Sequence, residues 1–297
     1  MTFSIVALDS ATGEIGVGVQ SRAFAVGARV PHAREGVGAI ATQATTNESY
    51  GPAGLGLLAS GLSPGEAVAR LTAADLGRDN RQLAILNAAG QARAYTGAAC
   101  IPWCGHIEGE GFSAQGNMLA GPQVVQALAD TFIIASGELS SRLLDALDAA
   151  QAAGGDARGV QSAAILVMRP IEYPDQTSAR WVDVRVDDSA VPLPELRRLL
   201  DVAIANRHAQ HARRLALAGR HHEAIESQQR AIAQNPKDDQ LIYGLAQRYA
   251  QAGDITRTVE ALHQAMAAHH GWGKLAAENP IFAALLGDPA FRRLTGS

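Results

Sequence analysis

The sequence predicts an α+β first module over residues 1–190, with helices covering sheets stacked face to face, and an all-α module over 191–297. Three observations carry this. Strand-like runs stand at both ends of the first stretch, with paired helical runs between them. The composition shifts after Asp187-Asp188, where Val191-Pro-Leu-Pro194 makes a stiff link and everything beyond it has helical character. The second module repeats on itself with a step of 34 residues, pairing Leu215 with Tyr249, Ala216 with Ala250, Gly219 with Gly253 and Ala231 with Ala265.

Thr2 to Leu8 and Ile15 to Gln20 are apolar runs flanking a Gly-bearing turn, the signature of a hairpin. Gly27 and Pro31 punctuate the run from Ala23 to Val30, and Val37 to Gln43 predicts a strand buried on both faces. Pro52 to Ala59 and Pro64 to Ala74 have helical spacing. In the second, Ser63 stands at the N-cap, Pro64 at the first helical position and Glu66 in the capping-box place. Gln82 to Asn87 and Ala92 to Thr96 flank Ala88-Ala89-Gly90-Gln91 as a hairpin, and Phe112 to Asn117 predicts another strand. Helices follow over Pro122 to Ile134 and Leu139 to Ala153, and Gln161 to Met168 with Arg180 to Val186 return to the sheet. Beyond the link, each 34-residue unit is a helix ending at glycine, a short turn and a second helix with small residues where helices approach, before a break at Asn235-Pro236. This resembles a tetratricopeptide repeat. Two such units, the helical stretch Leu193 to Asn206 and a degenerate tail from Pro280 to Leu294 supply stacked helices. A protein or peptide partner for these repeats is the expectation, beside the alternative that they pack on the first module or on a second copy.

With 47 % hydrophobic and 18 % charged residues, the 297-residue chain has enough apolar content for a substantial core. A net charge of −4 argues against a nucleic-acid surface. No apolar run reaches the length of a membrane span, and the first residues lack the basic-then-apolar pattern of a signal peptide. Two cysteines, Cys100 and Cys104, suit a reducing compartment. A cytoplasmic protein is expected, with no nucleic-acid or membrane partner. The absence of a G-x-G-x-x-G or phosphate loop leaves nucleotide chemistry without support, and no cofactor is expected.

The chemistry of interest begins at Thr2. If Met1 is removed, Thr2 holds a hydroxyl and a free α-amine on one residue. The amine titrates near about 7.7–8.0, close enough to take the hydroxyl proton and return it. Ser4 is a rival hydroxyl on the same face without a free amine of its own.

The segments TFSIVALDSATGEIGVGVQSRAFAVGARVP, GVGAIATQ, SYGPAGLGLL, CIPWCGHIEGEGFSAQGNMLAGP, AAGGDARGVQSAAILV and WVDVRVDD, in that order across residues 2 to 190, resemble an uncharacterised bacterial domain family assigned to the N-terminal nucleophile (Ntn) hydrolase superfamily. The resemblance implies an αββα four-layer sandwich and an exposed N-terminal nucleophile cleaving amides through an acyl-enzyme. In proteasome-like members, the mature chain likewise begins with threonine and a hairpin. Where those chains place an aspartate after the second strand this sequence has Ser21, and where they place a lysine the nearest cations are Arg22 and Arg34. Neither arginine can act as a base, so each is assigned to the field around the nucleophile or to a substrate carboxylate.

Further candidates follow from residue type. Gln115 and Asn117 at one strand end, and Gln43 with Asn47 at another, offer amide donors to a developing oxyanion or to substrate. In such turns these side chains also satisfy backbone groups. Asp156, after Gly154-Gly155, can orient the Thr2 amine, or cap its loop and pair with Arg158. Pro102-Trp103 suggests an aromatic wall of a substrate pocket. Cys100, Cys104 and His106 define a thiol or metal alternative, but the spacing lacks the second pair of a zinc site, and no metal is expected. His221-His222 and His269-His270 lie in the repeats as solvated residues. The resulting expectation is an amidohydrolase acting on a small or linear amide, assembled as a homodimer. The other alternative is a catalytically silent dimeric scaffold or ligand-binding module whose tail recruits a partner.

Overall fold

The computed structural model describes residues 2–171 and 178–296. The first strand, β1 (Thr2–Asp9), is buried on both faces over most of its length, which is why its sequence carries no exposed polar face, only the buried hydroxyls of Thr2 and Ser4. It forms the expected hairpin with β2 (Glu14–Ser21), Thr2 opposite Ser21 and Asp9 opposite Glu14. Then come β3 (Pro31–Arg34), β4 (Gly38–Ala44), α1 (Tyr50–Ala59) and α2 (Pro64–Ala73). The capping box of α2 is present in both directions: the Glu66 N–H donates to Ser63 Oγ at 3.3 Å, and the Ser63 N–H donates to Glu66 Oε2 at 2.8 Å. The hairpin β5 (Arg81–Asn87) and β6 (Ala92–Thr96) precedes β7 (Gly105–Gly109) and β8 (Phe112–Asn117). The helices α3 (Gln123–Ile134) and α4 (Leu139–Ala152) and the strands β9 (Ser162–Met168) and β10 (Arg180–Val186) follow.

These elements form a mixed α+β unit with two antiparallel sheets. One has six strands in the order β10-β9-β2-β1-β8-β7, the other four in the order β3-β4-β5-β6. The strand period of two decides what each face does. On β4 and β5, Ile40, Leu83 and Ile85 pack with Tyr50, Leu55, Leu58, Ala67 and Val68 of α1 and α2. Ala39, Ala41, Ala84 and Leu86, on the opposite parity, join Val6, Val17 and Val19 of β1 and β2 in a core between the sheets. The helices α3 and α4 contact the six-stranded sheet on its other side, where Gly18 of β2 lets Leu143 and Leu147 of α4 approach the strand.

The chain divides at Leu200, after the boundary at 190 that the composition suggests. The reason is α5 (Pro192–Leu217), whose first turns belong to the first unit. Leu193 and Leu196 are buried, and Arg197 bonds Asp145 at 2.8 Å and Asp148 at 2.5 Å on α4. The second unit is helical: the remainder of α5, α6 (His221–Gln234), α7 (Asp239–Gln251), α8 (Ile255–Ala268), α9 (Gly271–Glu278) and α10 (Pro289–Thr295). Gly219 and Gly253 both hold left-handed backbone, at φ +75° and +77°, ending equivalent helices. No helix among the described residues is long and apolar enough to cross a membrane.

Candidate functional site

The space between the sheets is apolar through its middle and polar at the end where β1 begins. Thr2, Ser4, Ser21, Gln43, Gln82, Gln115 and Asn117 are all buried there. Buried hydroxyls and carboxamides are costly unless each finds a partner, and these do so both within the six-stranded sheet and between the two sheets. Ser4 Oγ donates to Gln43 Oε1 at 2.7 Å and accepts from Gln115 Nε2 at 2.6 Å. Gln82 of β5 is the hub. Its Oε1 accepts from Gln43 Nε2 at 2.8 Å and Asn117 Nδ2 at 3.0 Å. Its Nε2 donates to the Gly116 carbonyl at 2.8 Å, to Thr96 Oγ1 at 2.9 Å and to the Gly105 carbonyl at 3.1 Å. Thr96 Oγ1 in turn lies 2.9 Å from His106 Nδ1.

Thr2 sits at the edge of this network. Its Oγ1 lies 3.1 Å from Ser21 Oγ, its carbonyl accepts from Gln43 Nε2 at 3.3 Å, and it stands opposite Asn117 in the sheet. Met1, whose removal an N-terminal nucleophile at Thr2 would require, lies outside the described residues. Asp156 is one step away: its oxygens accept the N–H groups of Arg22 and Arg158, each at 2.9 Å, and Arg158 approaches it at 3.4 Å. It thereby clamps the backbone that follows Ser21 and pairs with Arg158, as the loop-capping alternative expects. Arg22 is exposed at the rim and donates to Gln161 Oε1 at 2.6 Å.

A cavity of about 120 Å³ opens beside Asn117, bounded by Ala44, Thr45, Asn80, Cys100 and Met118, with no charged side chain in its lining. Ala44 and Met118 both hold left-handed backbone, at φ +68° and +53°. Such strain in residues that carry a Cβ persists only where the surroundings enforce it, and it concentrates at functional sites. The loop before β7 closes over this end, the Ile101 and Trp103 carbonyls accepting the Met118 and Leu119 N–H groups at 2.9 Å each. The Trp103 ring packs over Gly105.

Two expected residues lie elsewhere. Arg34 stands opposite Gly38, five residues along β4 from Gln43 and hence roughly 16 Å away along the strand, and donates to the Leu55 carbonyl at 3.4 Å. Asn47 belongs to the helical side of the four-stranded sheet. There its Nδ2 donates to Asp75 Oδ2 at 3.2 Å, on a carboxylate that also takes Tyr50 Oη at 2.8 Å and Arg81 Nε at 2.9 Å. The Arg81 and Tyr50 bonds hold the Asp75 carboxyl well below the ordinary range. Proximity in sequence to Gln43 misled here, because the chain leaves the strand between the two residues.

Cys104 Sγ donates to the Cys100 carbonyl at 3.4 Å and Cys100 Sγ to the Arg81 carbonyl at 3.3 Å, while His106 turns to Thr96. Burial pushes both thiols up, the opposite of what a thiolate nucleophile needs. Among the described residues no group of three or more His, Cys, Asp or Glu has the arrangement of a metal site. Gln82 and Thr96 are members of the site that residue types did not single out, and Ser21 entered only through the resemblance. The one available signal was parity, since Gln82 shares its strand face with the core residues Ala84 and Leu86.

Fold and site together define a mixed α+β protein of two antiparallel sheets that encloses a polar cluster around its first strand. Residues 2–196 match the model of a family described as "Family of unknown function (DUF1028)", and the chain belongs to that family. The crystal structure of protein SPO2555 from Silicibacter pomeroyi, of the same family model, is similar to it, with 34 % identity and a TM-score of 0.61. The match covers 67 % of this chain and 87 % of that one. No curated protein matches the chain.

Proposed function

We propose that the first unit is an amidohydrolase of the N-terminal nucleophile kind, its two sheets and two helix pairs forming an αββα sandwich and Thr2 acting once Met1 is removed. The observation that carries this reading is the placement of the Thr2 hydroxyl. It stands against Ser21 Oγ at the polar end of the inter-sheet space, one strand pairing from Asn117 and the strained cavity. The freed α-amine takes the Oγ1 proton as that oxygen attacks the amide carbon. Asn117 Nδ2 carries a second hydrogen beyond the one bonded to Gln82, and supplies it to the oxyanion. The tetrahedral species collapses, the ammonium returns its proton to the leaving amine, and water hydrolyses the resulting ester by the same exchange. The neutral lining and a volume equal to about four waters favour a small, uncharged acyl group. In the second unit, left-handed Gly219 and Gly253 with buried Ala231 and Ala265, each pair one repeat apart, support a tetratricopeptide-like array. The silent-scaffold reading draws on one observation: Gln43, Gln82, Gln115 and Ser4 are already engaged with one another, as a register-fixing network would be.

The two readings part at a covalent adduct. A β-lactone offered to the mature protein labels the N-terminal peptide, located by mass spectrometry. Thr2→Ala abolishes labelling, Thr2→Ser retains it within about 100-fold, and extra residues fused ahead of Met1 cost as much as the alanine. Labelling that survives both Thr2→Ala and the fusion eliminates the Thr2 mechanism.

A further inference from the structure

Within the second unit a groove of about 360 Å³ runs between the C-terminal half of α5 and α7. Its lining holds two arginines, Arg213 from α5 and Arg248 from α7, and no acidic residue. Arg213 is exposed at the rim, whereas Arg248 is 5 % exposed. The Arg248 Nε is buried with no hydrogen-bond partner, and its Nη1 reaches only the Ala212 carbonyl, at 3.4 Å. A buried guanidinium without a counter-charge is among the most expensive arrangements a fold can hold, since it loses hydration and gains no ion pair. Burial, and then the neighbouring charge of Arg213, bring its pKa down to about 10. Its one hydrogen bond within the chain, to a carbonyl, uses none of its charge on a carboxylate. The polar residues around it, Asn206 and Gln210 on α5 and Gln247 on α7, are neutral groups able both to donate and to accept.

We propose that this groove is a carboxylate-binding site, in which Arg248 supplies the buried partner, Arg213 the charge at the mouth, and the carboxamides bond the neutral part of the ligand. A single carboxylate matches the one buried charge, and the planar guanidinium edge fits it with paired hydrogen bonds. A phosphate dianion would bring a second negative charge that the one buried guanidinium does not neutralise.

Isothermal titration of the full chain tests this with four probes: glutarate, acetyl-trialanine with a free C-terminal carboxylate, the same peptide amidated, and inorganic phosphate. The expectation is that a free carboxylate binds at least about 10-fold more tightly than the amidated peptide and phosphate, and that Arg248→Met removes that preference. Tighter binding of the peptide acid than of glutarate assigns the carboxylate to a chain terminus, and the reverse to a small molecule. Without ligand, Arg248→Met leaves the melting temperature of the chain unchanged or raised, whereas a purely structural arginine would lower it. Should Arg248→Met fail to fold, Arg213→Gln at the exposed rim weakens carboxylate binding by about 3- to 10-fold. Absence of binding by both carboxylates, or a preference for phosphate, overturns the proposal.

Discussion

Replacing Gln82 by leucine removes the hub of the inter-sheet network while keeping the side chain's bulk. The Asn117 Nδ2 bond of 3.0 Å and the Gln43 Nε2 bond of 2.8 Å both end on Gln82 Oε1, so two buried donors lose their acceptor. The Gly116 carbonyl and Thr96 Oγ1 lose a donor at the same time. Each stranded buried donor costs about 1–3 kcal/mol, so the two together cost roughly 2–6 kcal/mol, softened by the 3.3 Å contact that Gln43 Nε2 keeps with the Thr2 carbonyl. Against a typical stability of about 5–15 kcal/mol the first unit remains folded at room temperature, with its thermal midpoint lowered by roughly 5–20 °C. Circular dichroism melts of the Gln82→Leu chain measure the loss. A double-mutant cycle with Asn117→Leu should show coupling above about 0.5 kcal/mol, because the second change removes a donor already stranded by the first. A loss below about 1 kcal/mol, or strict additivity, would refute the claim that these amides act as one network.

Two further outcomes follow from the same structure. A fragment of residues 1–200 should unfold cooperatively in urea, and one of 1–190 should be weaker by roughly 3–6 kcal/mol, because it lacks the buried Leu193 and Leu196; equal midpoints would return the boundary to 190. Because burial raises the Cys100 and Cys104 thiols, their thiolate fraction at neutral pH is smaller than that of an open cysteine. Iodoacetamide labelling, followed by intact mass, should therefore accelerate only above the ordinary thiol range of about 8.5, and fast labelling of either at pH 7 would restore the thiol alternative.

Much of the element order was legible because it is written in local patterns. The β1–β2 and β5–β6 hairpins and the Ser63 capping box follow from residue spacing and turn chemistry over a few positions. The strands β3 and β7 escaped because both are short, neither is fully buried, and each lies at a sheet edge, where burial imposes little pattern on the sequence. Among the candidate residues, Thr2, Gln43, Gln115 and Asn117 do converge, for each lies at a strand end on the parity that faces the opposing sheet. What the sequence by itself determined was therefore the strand-forming runs and their hairpin turns, the Ser63 cap and the repeat. Only the tertiary structure decided that β8 pairs with β1, that Gln82 joins the two sheets, and that Asn47 and Arg34 lie apart from Thr2. Those facts depend on which strands meet over long sequence separations, a choice made by the burial of whole faces that no short window of residues encodes.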